Sequence, residues 1–268
     1  MNRPAVAELY MRDSTTTRRG LLRLIAGGAA LSFGARFAWA GEERVDKLIA
    51  SARAYPKISQ RIDFISAALR GTRYRAYTLI GSPRRPEKFV VRDDVFDCVT
   101  YLETVLAAAI ARKPDEFDDV LRKLRYHNGL VEWRERNHYF FEWCQHNVEN
   151  GLCRWLDMDG AVDIHKTVDS QKGLSTRRFT MRVIPRAVLL ANQSLLQAGD
   201  VIGFVSRRAD LDYFHAGLIA FAAKGELLLR HAAESEHRVL DEGMDRFLAR
   251  WHVRYVSVLR PLEPPAVA

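Results

Sequence analysis

The chain has 268 residues, 48% hydrophobic and 28% charged, with 16 Gly and 9 Pro. This composition excludes collagen-like, low-complexity and intrinsically disordered classes, and the length is ample to bury a core in one large domain or two small ones. The net charge of +8 is uneven: residues 1–40 carry six Arg and two acids, and the rest keeps 35 basic against 31 acidic side chains, a surplus too small and scattered for a nucleic-acid face.

In chain order, residues 20–40 are apolar but interrupted by Arg23 and Arg36, short of the roughly 20 uninterrupted apolar residues that span a bilayer. They follow Thr17-Arg18-Arg19-Gly20-Leu21-Leu22 and end in Ala38-Trp39-Ala40. This pattern is read as a twin-arginine export signal cleaved after Ala40. The mature chain, residues 41–268, is then expected in the periplasm, with no membrane span of its own.

Residues 42–70 read as helix broken near Pro56, with apolar faces at Val45, Leu48, Ile49 and Ala52 and then at Ile58, Ile62, Ile65 and Leu69. Tyr74 to Ile80 and Lys88 to Arg92 read as short extended pieces. The strongest helical pattern runs from about Cys98 to Arg112, its stripe marked by Val99, Leu102, Val105, Leu106 and Ala109. A further helix is expected over roughly 114–126. Residues 130–160, rich in aromatics and His, show no clean period and read as irregular with a helical turn. Thereafter short β-branched or aromatic runs near 161–165, 177–184, 201–205, 213–221, 226–232 and 253–260 read as strands, interrupted by short helices near 185–198 and 243–251. A helical half followed by a largely antiparallel half predicts an α+β fold in a single domain.

Three cysteines in an exported chain leave one over if Cys144 and Cys153 pair. The remaining Cys98 begins the long helix, with Asp97 as a plausible N-cap. A thiol there feels the positive helix end, which favours a thiolate, and the free amides suit an oxyanion. Such a nucleophile needs a base and the base an orienting partner. His215 stands near the start of one expected strand and His231 near the end of the next. If Lys224-Gly225 makes the turn, the two lie close across a hairpin.

The series Gly71-Thr72-Arg73-Tyr74, Asp97-Cys98-Val99-Thr100, Gly199-Asp200-Val201-Ile202 and His215-Ala216-Gly217 resembles that of NlpC-type cysteine peptidases, which are papain-like cell-wall hydrolases. Arg136-Asn137-His138-Tyr139-Phe140 more closely resembles the N-acetylmuramoyl-L-alanine amidase-like branch of that superfamily. The resemblance implies a papain-like fold with the nucleophile at the N-terminus of a helix packed on the sheet that carries the histidines. It also implies Cys98 as nucleophile, His215 as base and His231 as orienter. Tyr74 matches a tyrosine near the nucleophile, although Arg73 stands where proline is common. The implied substrate is the amide between (anhydro-)N-acetylmuramic acid and L-Ala of muropeptides, cleaved by a monomer without cofactor. Arg136, Asn137 and His138 then either line the sugar or peptide site or pin an irregular loop.

Rival readings are a γ-D-glutamyl-diamino-acid peptidase and a non-catalytic wall-binding protein on the same scaffold. A metal site at His138, Cys144, His146 and Cys153 has spacings of six, two and seven, unlike the paired close ligands of zinc, so no metal is expected. Asp210 and Asp212 read as a solvated turn before a strand.

Overall fold

A computed structural model describes residues 37–38 and 42–264. The export-signal reading falls outside the described residues, apart from Phe37–Ala38, which pairs in parallel with Val90–Val91. Two antiparallel helices, Glu42–Ala52 and Ile58–Ala68, flank the break at Pro56 and bury Ile49, Ile62 and Ile65 against the long helix Cys98–Ile110. That helix is buried on every side from Thr100 to Ile110, so it forms the axis of the helical layer rather than its surface. Phe117–Arg125 packs beside it through Leu121 and Leu124.

The helices cover one face of a curled, mostly antiparallel sheet. Its order is Val95–Phe96, Arg73–Tyr74, Arg238–Gly243, Leu227–Ala233, Tyr213–Phe221, Val201–Val205, Tyr255–Pro261, Arg177–Pro185 and Val162–Val168, with Cys153–Leu156 also pairing with Tyr255–Pro261. Strand alternation divides the core between two faces. Val201, Val205, Ala216 and Leu218 face the helices, whereas Ile202, Phe204, Ile219 and Leu229 meet the short helices Arg186–Ala191 and Met244–Arg250 through Leu189, Phe247 and Leu248. The mixed α+β class expected from the sequence is the one observed.

Three elements depart from the expectations. Residues 140–149 form a ten-residue helix, Phe140–Glu149. It buries Phe140, Phe141, Trp143, Cys144, His146 and Asn147, and the polar His146 and Asn147 on the buried face blur its period. Its N-terminal cap comes from a distant chain segment, the Asp212 carboxylate accepting the Phe141 N–H at 2.7 Å. Arg238–Gly243 is a strand despite three charged residues, because Asp241 pairs with the buried Arg230 and Glu242 turns toward His231. Cys153–Leu156, the third, lies inside the stretch that lacks a period. Cys144 and Cys153 are buried free thiols. Among the described residues no helix is long and apolar enough to cross a membrane.

Candidate active site

Asp97 builds the Cys98 end of the long helix. Its carboxylate accepts the Val99 and Thr100 N–H groups at 3.1 and 2.8 Å, while the Thr100 hydroxyl accepts the Asp97 N–H at 3.0 Å. This reciprocal box fixes the first turn and leaves Cys98 as its first residue. The half-buried thiol lies near the backbone N–H groups of Ala216, Val99 and Cys98 itself, each of which favours its charged form. Amides near a helix start suit negative charge on sulfur or on a neighbouring oxygen.

Ala216 lies on the histidine hairpin, adjacent to His215. The turn closes through Gly225, whose φ of 86° and N–H to the Ala222 carbonyl at 2.9 Å make the reversal. The ladder between the arms runs from Phe221↔Leu227 to Leu218↔Arg230. One further step sets Gly217 opposite His231 and makes His215 a diagonal neighbour of that histidine. Glycine is required there by space: a Cβ on residue 217 would lie 3.0 Å from the His231 Cβ and from the Arg230 carbonyl oxygen. Across that gap His215 Nε2 meets His231 Nδ1 at 2.7 Å. Phe247 packs on both imidazoles and Phe204 stacks on His215. On the opposite face Arg230 ties the hairpin to the helical layer through Asp63 and Ser66 and to the next strand through Asp241.

A cavity of about 380 Å³ opens beside the histidines, lined by His215, His231, Glu234, Glu242, Phe247 and Trp251 among others. Tyr74 stands beside the thiol; burial, then the nearby Cys98, pushes its hydroxyl well above the usual phenol range. Tyr77, 98% exposed and left-handed at φ 59°, lies three residues from Tyr74. Nothing in the sequence marks Tyr77, an aromatic in a polar loop. Glu242 is likewise hidden, as one acid in a charged strand.

Cys98, Tyr74, His215 and His231 thus come together, whereas Arg136, Asn137 and His138 form a separate group with partners inside the fold. Arg136 pairs with Glu87 at 2.9 Å, the Asn137 amide donates to the Leu124 carbonyl, and His138 Nε2–H donates to the Trp133 carbonyl at 2.6 Å while its ring lies against Trp133. Such bonds pin the loop between the helices. Asp200, from the Gly199-Asp200 motif, is fully buried and paired with Arg260 at 2.7 Å, which makes it a strut. Among the described residues no group of three His, Cys, Asp or Glu is arranged to hold a metal ion.

The electrostatics correct one expectation. Burial, followed by the charge of Asp97, pushes the Cys98 thiol up to about 12, outweighing the three amides that act in the opposite sense. Burial and then the neighbouring His231 lower His215 to about 3, and burial lowers His231 to about 4. Desolvation thus favours a neutral thiol and neutral imidazoles, outweighing the help that the helix end gives the thiolate.

The described site thus holds a cysteine at a helix start, backbone amides near its sulfur and a hydrogen-bonded histidine pair on an α+β scaffold. The chain belongs to the AmiA-like, N-acetylmuramoyl-L-alanine amidase-like family, whose model matches residues 64–252 and so spans every candidate site residue. Among solved structures, a Legionella pneumophila protein is similar at 22% identity, covering 83% of this chain and 95% of its own, with a TM-score of 0.73. An N-acetylmuramoyl-L-alanine amidase from Bacteroides uniformis is also 22% identical, covering 82% and 100% with a TM-score of 0.66. These likenesses establish a shared fold. No curated protein matches the sequence. At the family level the chain is a peptidoglycan amidase-like hydrolase.

Proposed function

We propose that this protein is a cysteine amidase that hydrolyses the bond between the lactyl carboxyl of (anhydro-)N-acetylmuramic acid and the L-Ala of muropeptides. The observation that carries the reading is the 2.7 Å His215–His231 bond on the strand whose Ala216 N–H faces the Cys98 sulfur. His215 Nε2 is engaged by His231, so Nδ1 is the nitrogen available to the thiol. Because the resting pair is neutral, proton transfer accompanies attack instead of preceding it. His215 takes the Cys98 proton as sulfur adds to the lactyl carbonyl, and the N–H groups at the helix start stabilise the oxyanion. The C–N bond then breaks, His215 returns the proton to the leaving L-Ala amine, and a thioester remains on Cys98. Water, deprotonated by His215, releases the muramic carboxylate and restores the thiol. Tyr74, near the thiol, serves substrate binding, and the chain works as a monomer.

Trapping tests the covalent step: acid quench during turnover of an anhydro-muropeptide should give an intact-protein mass increased by one muramoyl group, mapped to Cys98. An unmodified thiol throughout turnover rules out the thioester. We also propose export by the twin-arginine route with cleavage after Ala40. An N-terminus at Gly41 on periplasmic protein is expected, and one upstream of it contradicts the assignment.

A further inference from the structure

The His231 ring has a second nitrogen, and its surroundings identify a further member of the machinery. Nε2 of His231 is buried without a hydrogen-bond partner. The facing acceptor is Glu242 Oε2, 3.6 Å away on the adjacent strand, whose other oxygen lies 3.9 Å from Arg250 Nη1. Glu242 also lines the cavity beside the histidines, as does Glu234. Its neighbour Asp241 turns away to Arg230 and Arg70. From the packed strand His231 faces Glu242, and from the helix Met244–Arg250 the charged Arg250 does so.

We infer that Glu242 is a positioning residue that sets the tautomers of both histidines and so aims the basic nitrogen of His215 at the thiol. The argument is one of proton placement. If His215 is to accept a proton at Nδ1, its own proton sits on Nε2 and is donated to His231 Nδ1. His231 then carries its proton on Nε2, directed at Glu242. A carboxylate only accepts, so it selects this tautomer, and its charge supports the imidazolium that forms on His215. Without that charge the chain inverts: His231 Nδ1–H donates to His215, whose Nδ1 then presents a proton instead of a lone pair. Rotation of the Glu242 side chain by a few tenths of an ångström closes the remaining gap to hydrogen-bond distance.

This inference rests on the Cys98–His215 assignment above, and its test avoids the substrate. Cys98 is the half-buried cysteine and the other two are buried, so iodoacetamide uptake by the folded protein reports its reactivity. Glu242→Gln keeps the shape and removes the charge; Glu242→Asp keeps the charge. We expect Glu242→Gln to lower the alkylation rate at neutral pH about tenfold and to move its pH profile upward, with Glu242→Asp recovering most of the loss. Where muropeptide is turned over, kcat falls by a similar factor with KM unchanged. Imidazole nitrogen shifts of the wild-type protein provide a check that needs no variant, with Nε2–H expected on both histidines. Superimposable alkylation profiles for wild type and Glu242→Gln, or Nδ1–H on His215, overturn the inference. The expected alkylation change without muropeptide turnover upholds it and overturns the substrate reading.

Discussion

Gly217→Ala adds one methyl group at the point where the hairpin brings its histidines together. The new Cβ would stand 2.6 Å from Leu229 Cδ1 and 3.0 Å from both the Arg230 carbonyl oxygen and the His231 Cβ. The leucine tip can rotate away. The other two atoms belong to the strand, which must withdraw by roughly 0.5 Å to reach ordinary contact. Overpacking of this kind costs about 1–3 kcal/mol. The same displacement lengthens the 2.7 Å His215–His231 bond, and loss of that alignment should reduce turnover on the order of tenfold beyond any unfolding. The assay is urea denaturation and muropeptide turnover on one preparation, beside Gly199→Ala. Gly199, at φ 88° and with Ile62 side-chain atoms 3.1 Å from its built Cβ, carries a similar stability penalty away from the histidines. A Gly217→Ala protein with wild-type stability and turnover would refute the reasoning, as would equal activity losses in both variants.

Arg125→Met strands the carboxylate of Glu103, its 2.7 Å partner, with both side chains 3% exposed; a loss of about 3–5 kcal/mol is expected by urea denaturation, largely restored by adding Glu103→Leu. A loss below about 1 kcal/mol for the single variant contradicts this account of the pair. His138 is lowered by burial from 6.5 to about 4, so the unfolded chain binds the proton first as pH falls. Its contribution is complete above pH 6.5 and is lost toward pH 4. His138→Gln, which still donates to the Trp133 carbonyl, should therefore gain on the wild type over that interval, whereas parallel urea midpoints contradict the assignment. Tyr77→Gly relieves a left-handed backbone and removes an exposed ring three residues from Tyr74; if that ring contacts substrate, KM rises several-fold with stability unchanged or improved. An unaltered KM would remove Tyr77 from substrate contact.

Much of the architecture is legible in the sequence because it rests on local patterns. The helices of the first half carry apolar faces, Pro56 breaks them where expected, and six β-branched or aromatic runs mark six strands. The hairpin is legible from Lys224-Gly225, and with it the closeness of His215 and His231, though not the diagonal register that makes Gly217 necessary. What escapes depends on distant partners. Phe140–Glu149 carries polar residues on its buried face and is capped from residue 212, so its period is blurred and its start is not local. Arg238–Gly243 hides as a strand because its acids are met on the adjacent strand, Asp241 by Arg230 and Glu242 by His231. The thiol is misjudged for a related reason: a helix start is visible at Asp97-Cys98, but the desolvation imposed by the sheet is not. Arg136, Asn137 and His138 are conspicuous residue types whose partners inside the fold, Glu87, Leu124 and Trp133, emerge only in three dimensions.

The central claim is that Cys98 cleaves the bond between muramic acid and L-Ala. Mass spectrometry of an anhydro-muropeptide incubated with residues 41–268, and separately with the Cys98→Ala variant, tests it most directly. The account predicts a free peptide beginning with L-Ala and an intact anhydro-sugar from the wild type alone. Release of L-Ala-D-Glu would identify a peptidase instead. Substrate recovered bound but uncut, or cut equally by Cys98→Ala, would contradict the account.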